Sequence, residues 1–405
     1  MKFSLEIPAL LCLFIVPQLK AVDIQDEQIH GRDAVVVSNE KIRVSFFPGG
    51  GYIGEVRFKS DDAKLNVNPM RVPHYETIEP QDYVDEVHNV LYGSSGDRKV
   101  MAGYMGHFLC FPYTGGLSKA EKDQGLFTHG EAAVTEWELK DKQADENAAT
   151  LTLGVYLPLT QYRIGRLLTV VEGESVVYVD ERVENLVSFD RPFQWVQHTT
   201  FGEPFVEAGK NFVDAPVVAP VWNQNPNLYH SFPVKTWPEA TDLHGENHNL
   251  RVMETTEGEG SYWAWLLDDS ETYTWFTMYH SEYQVLIGYL MPAEWNPWIG
   301  DWQENKFKTH VPWNGEVVAR GLLIGTSPFT GGIRSSMEIG PLYGKHTVRW
   351  INANESITQN YLIFLAKIPI GYQGTESLSV VNGFIHLKER NTRRLISVKA
   401  SRSGF

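Results

Sequence analysis

The chain of 405 residues contains only two cysteines, Cys12 and Cys110, and the first lies in an N-terminal segment read below as removable. A processed chain with one cysteine has no internal disulfide. A zinc centre of four cysteines, or of two cysteines and two histidines, is excluded on the same ground. Positive charge is in deficit, with 35 Lys and Arg against 50 Asp and Glu and a formal net charge of −15. That balance repels phosphate backbones and anionic lipid, so nucleic acid and membrane surfaces are poor partners and neutral or cationic small molecules remain open. No apolar run is long enough to span a bilayer as a helix. Nor does any stretch sustain a long amphipathic helical period. The chain also lacks a Gly-x-x-x-x-Gly-Lys-Ser/Thr phosphate loop, a Gly-x-Ser-x-Gly elbow and a His-Glu-x-x-His pair. Phosphoryl transfer, serine esterase and zinc protease readings thereby lose their main support. No cofactor motif and no tight metal-ligand spacing is evident, so neither is expected.

What is present begins with an export signal over residues 1–21: Lys2, the apolar stretch Ile7 to Pro17, and the small residue Ala21. Glu6 and Leu19 depart from the pattern. The apolar run is too short for a spanning helix, which favours a cleaved signal, a secreted or periplasmic protein, and no membrane insertion after processing.

Residues 22–405 read as one all-β domain. Short alternating or β-branched and aromatic runs recur between Gly, Pro, Asn and Asp clusters. Lys41 to Phe47 alternates, Pro48-Gly49-Gly50-Gly51 turns the chain, and Tyr52 to Phe58 returns, predicting a hairpin. Ala149–Leu157, Ser175–Val183, Tyr262–Leu267, Tyr273–Tyr279, Val285–Leu290, Val317–Ile324 and Tyr361–Ala366 predict further strands. With no linker between them, they suggest one large antiparallel sandwich with few, short helices. Asn211 to Asn249, rich in Pro and Asn, is expected to be a long loop over one mouth of a sheet. The segments Asp23 to Asp33 and beyond Lys399 are expected to be mobile tails.

Three of the 13 histidines share an informative setting, with glycine beside them or nearby: His107 in Gly106-His107-Phe108, His129 in His129-Gly130-Glu131, and His198 ahead of Gly202. Glycine permits close backbone approach or a sharp turn, and histidine exchanges protons near neutrality. A turn beside a core histidine explains the same pattern. Acids and aromatics cluster in Met291 to Asn305, where Trp295, Trp298 and Trp302 suit a platform for a sugar face, with Asp301 and Glu304 as hydroxyl acceptors. The alternative is a proline-broken loop whose tryptophans cap the core.

In this order the motifs resemble the aldose 1-epimerase, or galactose mutarotase, superfamily, in a divergent branch of secreted bacterial proteins. The likeness runs from about Asn39 to Phe364. It rests on Asn39-Glu40-Lys41-Ile42 before the glycine turn, Gly106-His107-Phe108, His129-Gly130-Glu131, Val183-Glu184-Asn185 before Gln197-His198, Trp302-Gln303-Glu304-Asn305, and Ala319-Arg320-Gly321-Leu322. The resemblance implies a large antiparallel β-supersandwich with a sugar cleft across one sheet. It implies His198 as the acid that protonates the ring oxygen, with His129 holding substrate or sharing that role. His107, Glu131, Trp298, Trp302 and Glu304 are the expected substrate-binding residues, and a small or oligomeric carbohydrate is the expected partner. The pattern breaks at one place: relatives carry a glutamate base where this chain has Leu323, and a leucine cannot accept a proton. Glu131, Glu203 and Glu304 are conceivable substitutes. An anomer-interconverting enzyme, a sugar-binding protein without the base, and a ligand-free sandwich all stay open.

Overall fold

The structure, a computed structural model, describes residues 22–222, 236–242, 244–253 and 256–402. The expected export signal at 1–21 lies outside these residues. Two antiparallel sheets face each other. The first has ten strands, in the order Asp23–Ile29, Arg32–Ser38, Ile42–Phe47, Tyr52–Phe58, His107–Cys110, Val196–Gly202, Val318–Gly325, Trp298–Asn305, Glu259–Leu267 and Val217–Trp222. The second has eight, running Asn211–Asp214, Tyr273–His280, Val285–Pro292, Ser356–Lys367, Val176–Asn185, Tyr162–Val171, Ala148–Leu157 and Glu138–Ala144. All the strands anticipated from alternation are present.

Alternate residues of each strand point to opposite faces, so each sheet has one inward set. Leu109, Ile299, Leu322 and Ile324 of the first sheet meet Leu151, Ile164, Val179, Ile287 and Ile363 of the second. The second sheet is covered on its other face too. Ile385, Leu387 and Val398, from a three-stranded sheet of Thr375–Val381, Phe384–Glu389 and Leu395–Lys399, pack there on Val176, Leu286, Leu362 and Phe364. Burial on both faces is why Val285–Pro292 and Tyr361–Ala366 read as continuous apolar runs.

Two expectations about order are corrected. Asp23–Ile29 is no mobile tail: it pairs with Arg32–Ser38 through a two-residue turn in which His30 and Gly31 both have positive φ, 54° and 85°. Beyond Lys399, Ala400 is buried and the backbone of Ser401 donates to Glu174 Oε1. Nor is the described part of Asn211–Asn249 simply a loop, since it contributes Asn211–Asp214, Val217–Trp222 and a small hairpin of Glu239–Thr241 with Asn247–Asn249, while 223–235 and 243 lie outside the described residues. Four helices of five to eight residues occur among the described residues: Asp85–Tyr92, Arg98–Gly103, Lys119–Asp123 and Gly332–Ile339. None is long and apolar enough to cross a membrane.

Candidate functional site

The outer face of the ten-stranded sheet is covered near its centre by the segment carrying the first two helices, and a cavity of ≈ 280 Å³ remains beneath it. Register decides which side chains line its floor. His198 pairs with Phe108 in one neighbouring strand and with Leu323 in the other, so these three stand together on the outer face. Two residues along, Thr200 pairs with Gly321, Gly321 with Trp302, and Trp302 with Tyr262. His198, Leu323, Trp302 and Tyr262 all reach the cavity. A Cβ on Gly321 would sit 3.1 Å from the Trp302 ring and 3.2 Å from Leu323, so glycine leaves the room in which both settle.

The opposite wall is His129. Its φ of 68° and that of Gly130, 91°, make a tight turn, and a Cβ on Gly130 would lie 2.3 Å from the Phe111 carbonyl oxygen. His129 is clamped to Gly115 twice: its backbone N–H donates to the Gly115 oxygen at 3.0 Å, and its Nδ1 accepts from the Gly115 N–H at 3.2 Å. An amide can only donate, so the neutral ring carries its proton on Nε2. His198 is fixed differently, stacked on Phe108 with centroids 4.4 Å apart. Its Nδ1 lies 3.0 Å from Thr200 Oγ1, which is 2.8 Å from the Tyr104 hydroxyl. The two imidazoles meet edge to face at 5.1 Å. Desolvation pushes the His129 pKa down to about 4 and holds that of His198 well below its ordinary value, with each other's proximity adding to the effect on His198. Both rings are therefore neutral at pH 7.

A third wall is cationic and aromatic. The Lys308 ammonium lies 4.4 Å from the Trp313 ring and 4.9 Å from that of Trp302. Asp97, at the start of the Arg98–Gly103 helix, brings a carboxylate to the same cavity.

Of the seven residues expected to form the site, His129, His198 and Trp302 come together here, and four do not. His107 alternates with Phe108 and so faces the inter-sheet core. Its Nε2 lies 2.8 Å from Gln197 Oε1, and the Tyr289 hydroxyl lies 3.3 Å from its Nδ1. Gln197 in turn donates to Glu181, which pairs with Arg166 at 2.7 Å, both buried. The carboxylate of Glu131 is taken by the backbone N–H groups of Leu159 and Thr160, at 2.9 Å each, and by the Thr160 hydroxyl at 2.7 Å. Trp298 is on the same face as Trp302 but is sealed under Phe329 and Leu342, donating to the His346 carbonyl. Glu304 is buried, with Oε1 accepting the Lys308 backbone N–H at 2.8 Å, and burial raises its pKa. Asp301 points the other way, into a bidentate pair with Arg320. Glu203 is exposed and away from the cavity. The Met291–Asn305 segment is thus no flat platform: Trp298–Asn305 is a strand whose alternation separates Trp302 from Asp301.

Sequence reasoning missed Asp97, Tyr104, Lys308 and Trp313. They sit on connecting segments with no local periodicity, brought to the sheet only by folding. It also missed a trio at the edge hairpin, where Asp242, Glu246 and His248 hold possible ligand atoms within 4.8 Å of one another. There Asp242 Oδ1 accepts from the backbone N–H groups of His244 and Glu246, at 2.8 and 2.9 Å, which accounts for the trio as a tight turn.

Comparison with solved structures places this fold among the galactose mutarotase-like proteins. A candidate aldose 1-epimerase from Klebsiella pneumoniae superposes with a TM-score of 0.60 at 13% identity, covering 86% of this chain and 84% of that one. A galactose mutarotase-like protein from Clostridium acetobutylicum gives 0.59 at 14% identity, covering 86% of this chain and 100% of the other. A galactose mutarotase related enzyme from Lactobacillus acidophilus gives 0.51 at 12%, covering 83% and 98%. No family model and no curated protein matches by sequence.

Proposed function

We propose that this is an exported carbohydrate-binding protein that holds an aldose, free or at the end of an oligosaccharide, in the cavity between His129 and His198, without the base that family-type mutarotation requires. The observation that carries this reading is the row Phe108, His198, Leu323 across three paired strands, facing one small cavity. A neutral His129 offers an Nε2–H donor, His198 adds an imidazole, and Trp302 adds an apolar face. Such a mixture suits a sugar, whose ring has apolar faces and hydroxyl edges. The cavity volume lies near the lower bound of about 300 Å³ usual for small-molecule sites.

Proton transfer is where the site falls short. Mutarotation needs a base for the C1 hydroxyl and an acid for the ring oxygen, each with a pKa near working pH. Leu323 supplies no base, and desolvation leaves His198 unprotonated at neutrality. A second reading, weak catalysis, has one observation in its favour: Asp97 places a carboxylate in the cavity.

Titrating galactose and glucose against the wild type and His198→Ala, followed by tryptophan fluorescence and calorimetry, tests the first reading. Saturable binding lost in His198→Ala supports it. Equal binding in both proteins contradicts it, as does a wild type that binds neither these sugars nor their uronates. Polarimetry on the wild type and Asp97→Asn separates the second: anomer exchange above the spontaneous rate that disappears in Asp97→Asn would favour catalysis.

A further inference from the structure

The ammonium of Lys308 is the unexplained group in this cavity. Its Nζ stands against the rings of Trp302 and Trp313, yet among the described residues no carboxylate or carbonyl accepts a hydrogen bond from it. Glu304 is close along the chain but engages the backbone N–H of Lys308, not its ammonium. Partial burial costs this ammonium hydration that no hydrogen-bond acceptor replaces, while the Glu304 and Asp97 carboxylates favour its charge from a distance. Desolvation lowers its pKa in consequence. Behind the same wall lies a second cation. The buried Arg71 guanidinium sits 5.3 Å from Trp313 and 4.5 Å from Tyr104, and its Nη2 has no partner.

We propose that Lys308 makes this a subsite for an acidic sugar, an aldose bearing a carboxylate, such as a hexuronate. The inference rests on the reading of the cavity as a sugar site and adds the class of sugar. A ligand carboxylate would accept charge-assisted hydrogen bonds from Nζ while the pyranose ring lies near Trp302. Leu323 fits the same ligand. With Asp97 already lining the cavity of ≈ 280 Å³, a glutamate there would add a further negative charge beside a ligand carboxylate, and a leucine adds none.

The test is a matched set of affinities by calorimetry: galacturonate against galactose, glucuronate against glucose, and galactose 6-phosphate to tell carboxylate from phosphate ester. The wild type is expected to prefer each uronate over its neutral parent by roughly tenfold to a hundredfold, the usual worth of a hydrogen bond to a charged group. Lys308→Met is expected to reduce that ratio to about one, with uronate affinity falling more steeply than that of the neutral parent. Should Lys308→Met fold poorly, Lys308→Gln serves, and the wild-type uronate preference must also shrink as salt is raised. Neutral sugars binding as tightly as uronates, or a preference surviving in both variants, would overturn the proposal while leaving the sugar site intact. Tighter binding of the phosphate ester than of either uronate overturns the carboxylate assignment. No binding of any sugar overturns the sugar-site reading and this proposal with it.

Discussion

Leu323 stands directly across from His198 in the neighbouring strand, at the register where both side chains face the cavity. Whatever that position bears lies beside the imidazole. Leu323→Glu should therefore place a carboxylate base beside His198 and, through its negative charge, raise the imidazole pKa so that it can serve as the acid. Polarimetry on aldoses is expected to show anomer exchange faster than wild type by about 10²- to 10⁴-fold, the range for one positioned proton-transfer group. Leu323→Gln, similar in size and unable to take a proton, is expected to stay at the wild-type rate.

Buried neutral histidines make stability depend on pH. The folded-state pKa of His107 is pushed down to about 3 by desolvation, with Arg166 adding to it, and that of His198 is also well below 6.5. A depressed histidine binds its proton more readily in the unfolded chain. Stability is thus fully retained above about pH 6.5 and falls as pH drops toward the folded-state values, by about 1 kcal/mol per pH unit for each such group. His129 contributes less, because its ring is open to the cavity. Urea midpoints at pH 7, 6, 5 and 4.5 check this, and His107→Gln is expected to flatten the slope.

His107 and Glu131 hold the scaffold rather than the cavity, and their variants should separate stability from binding. His107→Leu leaves Gln197 and Tyr289 without their partner, and Glu131→Ala strands the Leu159 and Thr160 amides. Each is expected to cost about 1–3 kcal/mol per orphaned group. Sugar affinity measured on the folded variants should stay within about twofold of wild type, a margin of about 0.4 kcal/mol.

Trp302 and Gly321 act as a pair. Trp302→Ala should fold and lose most sugar affinity. Gly321→Val would press on Trp302 and Leu323, and overpacking of this kind costs about 1–3 kcal/mol. Thermal melts and fluorescence titrations on the two variants distinguish a lost surface from a filled one.

Strands were legible wherever a run alternated or was buried on both faces, as in Ile42–Phe47 or Val285–Pro292. The N-terminal hairpin was not, because Asp23–Ile29 is polar and its turn uses His30-Gly31 where Asn-Gly is the familiar signal. Within the site, His129 and His198 could be singled out by chemistry and resemblance, as could the change at Leu323. His107 stands out in the sequence because it titrates and follows a glycine, whereas Phe108 beside it carries no such signal. Only the pairing of Phe108 with His198 reveals which of the two neighbours faces the cavity. Lys308 and Trp313 follow the Trp298–Asn305 strand in a connection whose path no periodicity forecasts.

Bound between His129 and His198, a sugar would lie against both imidazole rings. The most direct measurement is a ¹H–¹⁵N spectrum of the imidazole nitrogens while an aldose or hexuronate is added. Resonances of His129 and His198 are expected to shift saturably while those of His107, sealed in the core, stay fixed. Fixed resonances at His129 and His198 under saturating sugar would mean that no sugar binds between them.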